Sequence, residues 1–407
     1  MTQDATGEVV PLLEPSGGVP DVVTDEAGLA AVASLIATGT GPVAIDAERA
    51  SGYRYSQRAY LVQLRREPVG TVLIDPIGPP APAFAKLADT LSGTEWVLHA
   101  ASQDLPCLAE LGLAPDRLFD TELAGRLAGF DRVGLAAIVQ RMLGIGLRKG
   151  HGAADWSVRP LPHDWLTYAA LDVELLLPLR QALVEELTAQ GKLAWAEQEF
   201  EAVRLAPPPA PRAEPWRRTS GIHRVRRQRQ LAAVRELWLA RDELARQRDL
   251  APGRVLPDAA IVDAALADPP TVAELIKLPV FRGRAQRRLA QTWADALQRA
   301  RTMTRAQLPE INPATDGPPP VNRWADKDPA AADRLTAARA ALTELAEQHR
   351  LPVENLLQPE LVRRLCWHPP DEPTPEAVAE ALRAGGAREW QRELTTDALS
   401  AALKVAD

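Results

Sequence analysis

Four short apolar runs open the first half of the chain: PVAID (42–46), YLVQL (60–64), TVLID (71–75) and WVLHA (96–100). Each is rich in β-branched or other apolar residues and bounded by Gly, Pro or charge, the pattern of buried strands. Between and after them, LPCLAELGL (105–113) and GLAAIVQRML (134–143) space their apolar residues for helices. A mixed sheet layered with helices follows. Beyond residue 216 the strand-like runs cease. RRQRQLAAVRELWLARDELARQRDL (226–250) puts Leu231, Val234, Leu237, Trp238 and Leu244 on a helical stripe, and RAQRRLAQTWADALQRA (284–300) repeats the pattern. RLTAARAALTELAEQHRLPVENLL (334–357) and PELVRRL (359–365) echo that order, with Asp249-Leu250-Ala251-Pro252 answered by Arg350-Leu351-Pro352, which suggests a duplicated helical module.

Proline supplies the boundaries, because it fixes φ and cannot continue a helix. With 36 prolines in 407 residues, clusters at 206–215 (APPPAPRAEP) and 308–320 (LPEINPATDGPPP) mark breaks. The expected divisions are a loosely ordered tail over 1–25, an α/β block over 26–205, a Pro-rich linker over 206–215, a helical block over 216–305, a linker over 306–328 and a second helical block over 329–407. The net charge of −7 excludes a uniformly basic coat. Yet 206–305 carries 20 Lys+Arg against 10 Asp+Glu. Solvated helix faces explain many such clusters, but a block whose sign opposes that of the whole chain favours phosphate contact, with Arg224, Arg226, Arg227, Arg282, Arg284, Arg287 and Arg288 as the candidates. Two distant cysteines make no disulfide framework and fit a reducing compartment. A polar N-terminus and the lack of any long apolar run point to a cytoplasmic protein without a membrane span.

Three pieces carry candidate chemistry. Asp46 and Glu48, at i and i+2 of a strand end, share one face, where two carboxylates repel unless a cation such as Mg²⁺ or Mn²⁺ lies between them. A polar strand end facing solvent is the alternative. Asp104 falls in the first turn of a helix after the strand ending at His99, where complementing the helix dipole or capping explains it equally well. Tyr168 and Asp172 are one turn apart on a helix face, able to hold a water, or simply hydrogen-bonded to each other. No Gly-Lys-Ser/Thr ending follows Gly144-Ile-Gly146, so a P-loop motor is unsupported.

Taken together, Asp46, Glu48, Asp104, Tyr168 and Asp172, in this order, resemble the DEDD exonuclease superfamily in its tyrosine subclass. Tyr60-Leu-Val-Gln-Leu64, Leu73-Ile-Asp-Pro76 and Asp155-Trp156-Ser-Val-Arg-Pro160-Leu161 are similar to the ribonuclease D pattern within it. The helical blocks resemble HRDC domains, the first closely (237–261 and 275–288), the second in more diverged form. One departure is Gln103, where many relatives carry Glu. The resemblance implies an α/β ribonuclease-H-like 3′–5′ exonuclease domain followed by two small all-helical HRDC domains. It further implies two divalent ions, Mg²⁺ or Mn²⁺, held by Asp46, Glu48, Asp104 and Asp172, with the Tyr168 hydroxyl orienting the attacking water. The implied substrate is the 3′ end of RNA, such as precursor tRNA. A DNA 3′–5′ exonuclease and a non-catalytic RNA-binding protein on a nuclease scaffold are the rival readings; the intact acids speak against the second.

Overall fold

The computed structural model describes residues 10–147, 150–208, 210–313 and 317–404. Among the described residues, eight strands run in chain order: β1 (Val10–Leu12), β2 (Val22–Val23), β3 (Thr40–Arg49), β4 (Ala59–Glu67), β5 (Gly70–Ile74), β6 (Glu95–Leu98), β7 (Arg117–Asp120) and β8 (Ile145–Leu147). Six form one sheet in the order β2-β5-β4-β3-β6-β7. β4 runs antiparallel to both its neighbours, β3 and β5, whereas β6 joins β3 and β7 joins β6 in parallel. All four expected strands are therefore present, extended at β3 and β4 by the hairpin-like pairing between them. Helix His163–Glu174 packs across β3, β4 and β5, and helix Leu176–Ala189 lies on β3 and β6. Trp96, Phe84, Leu64 and Ile45 are among the fully buried side chains of this core.

The expected loose tail is corrected in part. Residues 1–9 lie outside the described residues, but Val10–Leu12 pairs in parallel with β8 and Val22–Val23 adds an edge to the main sheet. Ser16 is tied to buried Glu174 through its hydroxyl, at 2.6 Å. Edge pairing is a non-local gain that a Gly- and Pro-bearing segment does not announce.

After helix Leu193–Arg204, the described part of 205–214 is without helix or strand. The middle block is all-helical, from Gln228–Arg248 to Ala290–Thr302, and holds its own core around Trp293, Phe281 and Leu237. The last block repeats the design around Pro329–His349 and Glu389–Leu403. It starts earlier than expected: Trp324, in the helix Trp324–Lys327, is fully buried and packs on Trp367 with ring centres 4.8 Å apart. Unlike the middle block, the last block shares one continuous apolar core with the α/β block. Trp390 stacks on Trp195 at 5.1 Å and donates its indole N–H to Glu199 at 3.0 Å. No described helix is long and apolar enough to cross a membrane.

Candidate metal centre and its family

The site is built where β3 ends under helix His163–Glu174. Strand alternation sends Asp46 and Glu48 to the same face, and the helix places Tyr168 and Asp172 above them on one stripe. Carboxylate oxygens of Asp46, Glu48 and Asp172 come within 4.8 Å of one another. The sequence expectation that these residues converge thus holds for three of the four acids in one group. Burial raises the Asp46 carboxyl to about 6 despite the Ala47 backbone N–H and Arg49. Burial and the neighbouring acids push Glu48 well above its ordinary range, and Asp172 rises for the same reasons, eased by a hydrogen bond from Tyr168. The Tyr168 phenol is driven upward by burial and by Asp172, so it is neutral at any physiological pH.

Asp104 arrives by a different route. β6 ends at Leu98, and the chain turns through Ala100, which has the left-handed φ of 60°. That conformation costs a non-glycine residue on the order of 1–2 kcal/mol. Asp120 holds it: its carboxylate accepts from Ala100 N–H at 3.0 Å and Ala101 N–H at 2.8 Å, and also caps helix Thr121–Leu127. A 3₁₀ turn over Ala101–Gln103 then delivers Asp104 to the start of helix Leu105–Ala109. Asp104 makes no side-chain capping bond there, which removes the capping explanation. Its carboxylate instead faces Arg49, Nη2 to Oδ1 3.5 Å. Burial and Asp46 lift it to about 8. His99, by contrast, is a structural group: its ring meets Thr121 Oγ1 at 2.9 Å, and burial lowers it to about 4.

The donor set suits a hard divalent cation, since it offers only carboxylate oxygens and their mutual repulsion calls for positive charge. A second observation fits. Gln63 lies opposite Asp46 in the β3–β4 register, is fully buried, and has no hydrogen-bond partner for either amide atom among the described residues. A buried amide left this way costs a few kcal/mol unless hydrated, and a hydrated ion beside Asp46 would satisfy it. Sequence reasoning passed over Gln63, Arg49 and Asp120. Gln63 was visible as the polar residue inside the apolar run 60–64.

The site opens through a cavity of about 270 Å³ lined by Glu48, Arg49, Ser51, Gly52 and the 152–154 loop. Gly150 and Gly152 leave room for Tyr168: a Cβ would stand 3.1 Å from its ring at the first and 3.5 Å from its hydroxyl at the second. The loop is clasped by Arg159, whose guanidinium donates to both oxygens of Asp75 and to the carbonyl of Tyr60. The Asp155–Leu161 and Leu73–Pro76 motifs are therefore one structural clamp. The mouth also meets the middle block. Arg254 donates to the Gly52 carbonyl at 2.8 Å and lies over the Tyr53 ring, and Asp249 accepts from Ser56 N–H at 2.9 Å.

All seven candidate phosphate-binding arginines are exposed, in two groups. Arg224, Arg226 and Arg227 precede helix Gln228–Arg248, near the end of helix Ala290–Thr302 that Arg229 caps through Ala300 and Arg301. Arg282, Arg284, Arg287 and Arg288 precede the start of that same helix, where Gln286 donates to the carbonyl of Val255 and Arg282 to that of Lys277. The 13-residue helix separates the groups by about 20 Å. Arg224 is already paired with Asp263. The group at 284–288 is the one on the side of the middle block that docks at the nuclease mouth.

Three family models match this chain: one described as 3′-5′ exonuclease over residues 20–188, the HRDC domain over 230–297, and one described as 3′ to 5′ exonuclease C-terminal domain over 317–403. The third covers the block expected to be HRDC-like. Ribonuclease D of Zymomonas mobilis is 32% identical over 298 residues, 72% of this chain and 75% of the relative. A crystal structure of a protein from Bifidobacterium adolescentis has 38% identity and a TM-score of 0.90, covering 98% of this chain and all of that one. Escherichia coli RNase D, described as an exoribonuclease involved in structured RNA processing, has 26% identity and a TM-score of 0.68 over 94% of this chain and 98% of its own. The matches run through the nuclease block and both helical blocks, in the same order and over most of the chain's length, so this chain belongs to the ribonuclease D family of 3′–5′ exoribonucleases.

Proposed function

We propose that this exoribonuclease trims the 3′ ends of structured RNA, precursor tRNA among them, by a two-ion hydrolysis at Asp46, Glu48, Asp104 and Asp172. The observation that carries the reading is the convergence of Asp46, Glu48 and Asp172 within 4.8 Å, with the Tyr168 phenol against Asp172. A pair of divalent ions, Mg²⁺ or Mn²⁺, supplies charge stabilisation to the attacking and leaving oxygens of an in-line displacement. The four acids would hold those ions in place. Tyr168, neutral and half-buried, holds the attacking water by its hydroxyl without competing as an anionic ligand. The water oxygen bonds to phosphorus, the bond to the 3′ oxygen breaks, and a nucleoside 5′-monophosphate leaves. The small residues of the cavity, Ser51, Gly52 and Gly152, leave room for the 3′-terminal nucleotide.

The test is an end-labelled RNA and the matching DNA incubated with the protein, with and without Mg²⁺ or Mn²⁺. Shortening from the 3′ end that needs the metal and favours RNA is the expected result. Asp46→Asn keeps the shape and removes a ligand, so its cleavage should fall by orders of magnitude while RNA binding persists. Near wild-type turnover in Asp46→Asn would remove the metal assignment.

A further inference from the structure

Arg49 is not where strand alternation alone would put it. As the neighbour of Glu48 it belongs on the opposite face of β3, but the β3–β4 register shifts between Glu48 and Arg49. Such irregularities re-aim side chains, and here the guanidinium reaches Asp104. Its side chain is 26% exposed and that of Asp104 7%. Among the described residues it makes no other ion pair or hydrogen bond, so nothing else anchors it. Asp46, Glu48 and Asp104 all feel its charge. The three acids placed to share one ion, Asp46, Glu48 and Asp172, do not include Asp104.

We propose that Arg49 is a cationic latch on Asp104, which a divalent ion must displace before Asp104 can serve as a ligand. This deepens the two-ion reading and rests on it. A guanidinium is charged at every working pH, and two cations on one partly buried carboxylate repel. The ion held by Asp46, Glu48 and Asp172 meets a ready site; the ion that needs Asp104 meets competition. The two sites are therefore unequal in affinity, and Arg49 sets the difference.

The experiment titrates Mn²⁺ into the chelator-stripped full-length protein by calorimetry, in the absence of RNA. Wild type should show a tighter and a weaker class of site. Arg49→Gln should tighten the weaker class by roughly two- to fivefold, the size of a partly exposed ion pair, and leave the tighter class unchanged. Arg49→Lys should fall between, because an ammonium on a shorter reach competes less well. In an Asp104→Asn background the weaker class should be lost and Arg49→Gln should change nothing. An unchanged or weakened second class in Arg49→Gln, with the first intact and the melting curve cooperative, overturns the latch alone. A wild-type chain that binds no Mn²⁺, or a single ion, overturns the two-ion reading and the latch with it.

Discussion

A carboxylate buried among carboxylates binds its proton more tightly in the folded chain than in the unfolded one. Asp46 and Asp104, ordinarily near 3.8, rise to about 6 and about 8 on folding. Raised folded-state values contribute stability in full below about 4, and that stability is lost as pH rises through 6 and 8. With a chelator present, the melting temperature should therefore fall between pH 6.5 and 8, by something on the order of 2–4 °C. Above 6.5 His99 is mostly neutral in both states and contributes little. Saturating Mn²⁺ replaces the protons as counter-charge and should flatten or reverse the slope. Scanning calorimetry across that window checks both arms; a melting temperature indifferent to pH in chelator contradicts the charge balance described. At this scale the sequence disclosed Asp46, Glu48, Tyr168 and Asp172, because periods of two and 3.6 fix which residues share a face. It concealed Arg49, because the register shift that aims it depends on a partner strand.

The elements show why the repeated Leu-Pro signature could be read before the structure. Helix Gln228–Arg248 ends on Asp249 with φ 46°, and helix Pro329–His349 ends on Arg350 with φ 50°. The prolines that follow, Pro252 and Pro352, open the next short helices at their first turn and at the N-cap. Both motifs are thus left-handed stops followed by a fresh start. Asp249 is repaid for its strain by Ser56 N–H, whereas Arg350 makes no side-chain ion pair among the described residues. Replacing Arg350 with Gly should raise stability by about 0.5–1 kcal/mol, read as a shift in denaturant midpoint at constant slope. No gain would mean that its backbone cost is offset by contacts elsewhere. What the element pattern could not supply was the Arg159–Asp75 clasp, since its partners are 84 residues apart.

For the whole molecule, charge and packing divide the labour between the helical blocks. The middle block keeps a separate core and meets the nuclease through the 52–56 loop, presenting Arg284, Arg287 and Arg288 on that side. Each phosphate contact adds a released counterion to the salt dependence of binding. Converting these three to Ala in an Asp46→Asn background should weaken RNA affinity and flatten its salt slope, more than the same change at Arg224, Arg226 and Arg227. Equal slopes for both triples would show that docking at the mouth does not select between them.

The last block, by contrast, completes the nuclease core, because Arg388 and Trp390, 189 and 191 residues downstream of Glu199, cover Trp195 and Glu199. A ribosome adds about 5–20 residues per second, so helix 193–204 waits on the order of 10–40 s for its cover. Throughout that interval the nascent nuclease displays an indole and a carboxylate meant for burial, a surface for chaperones to hold.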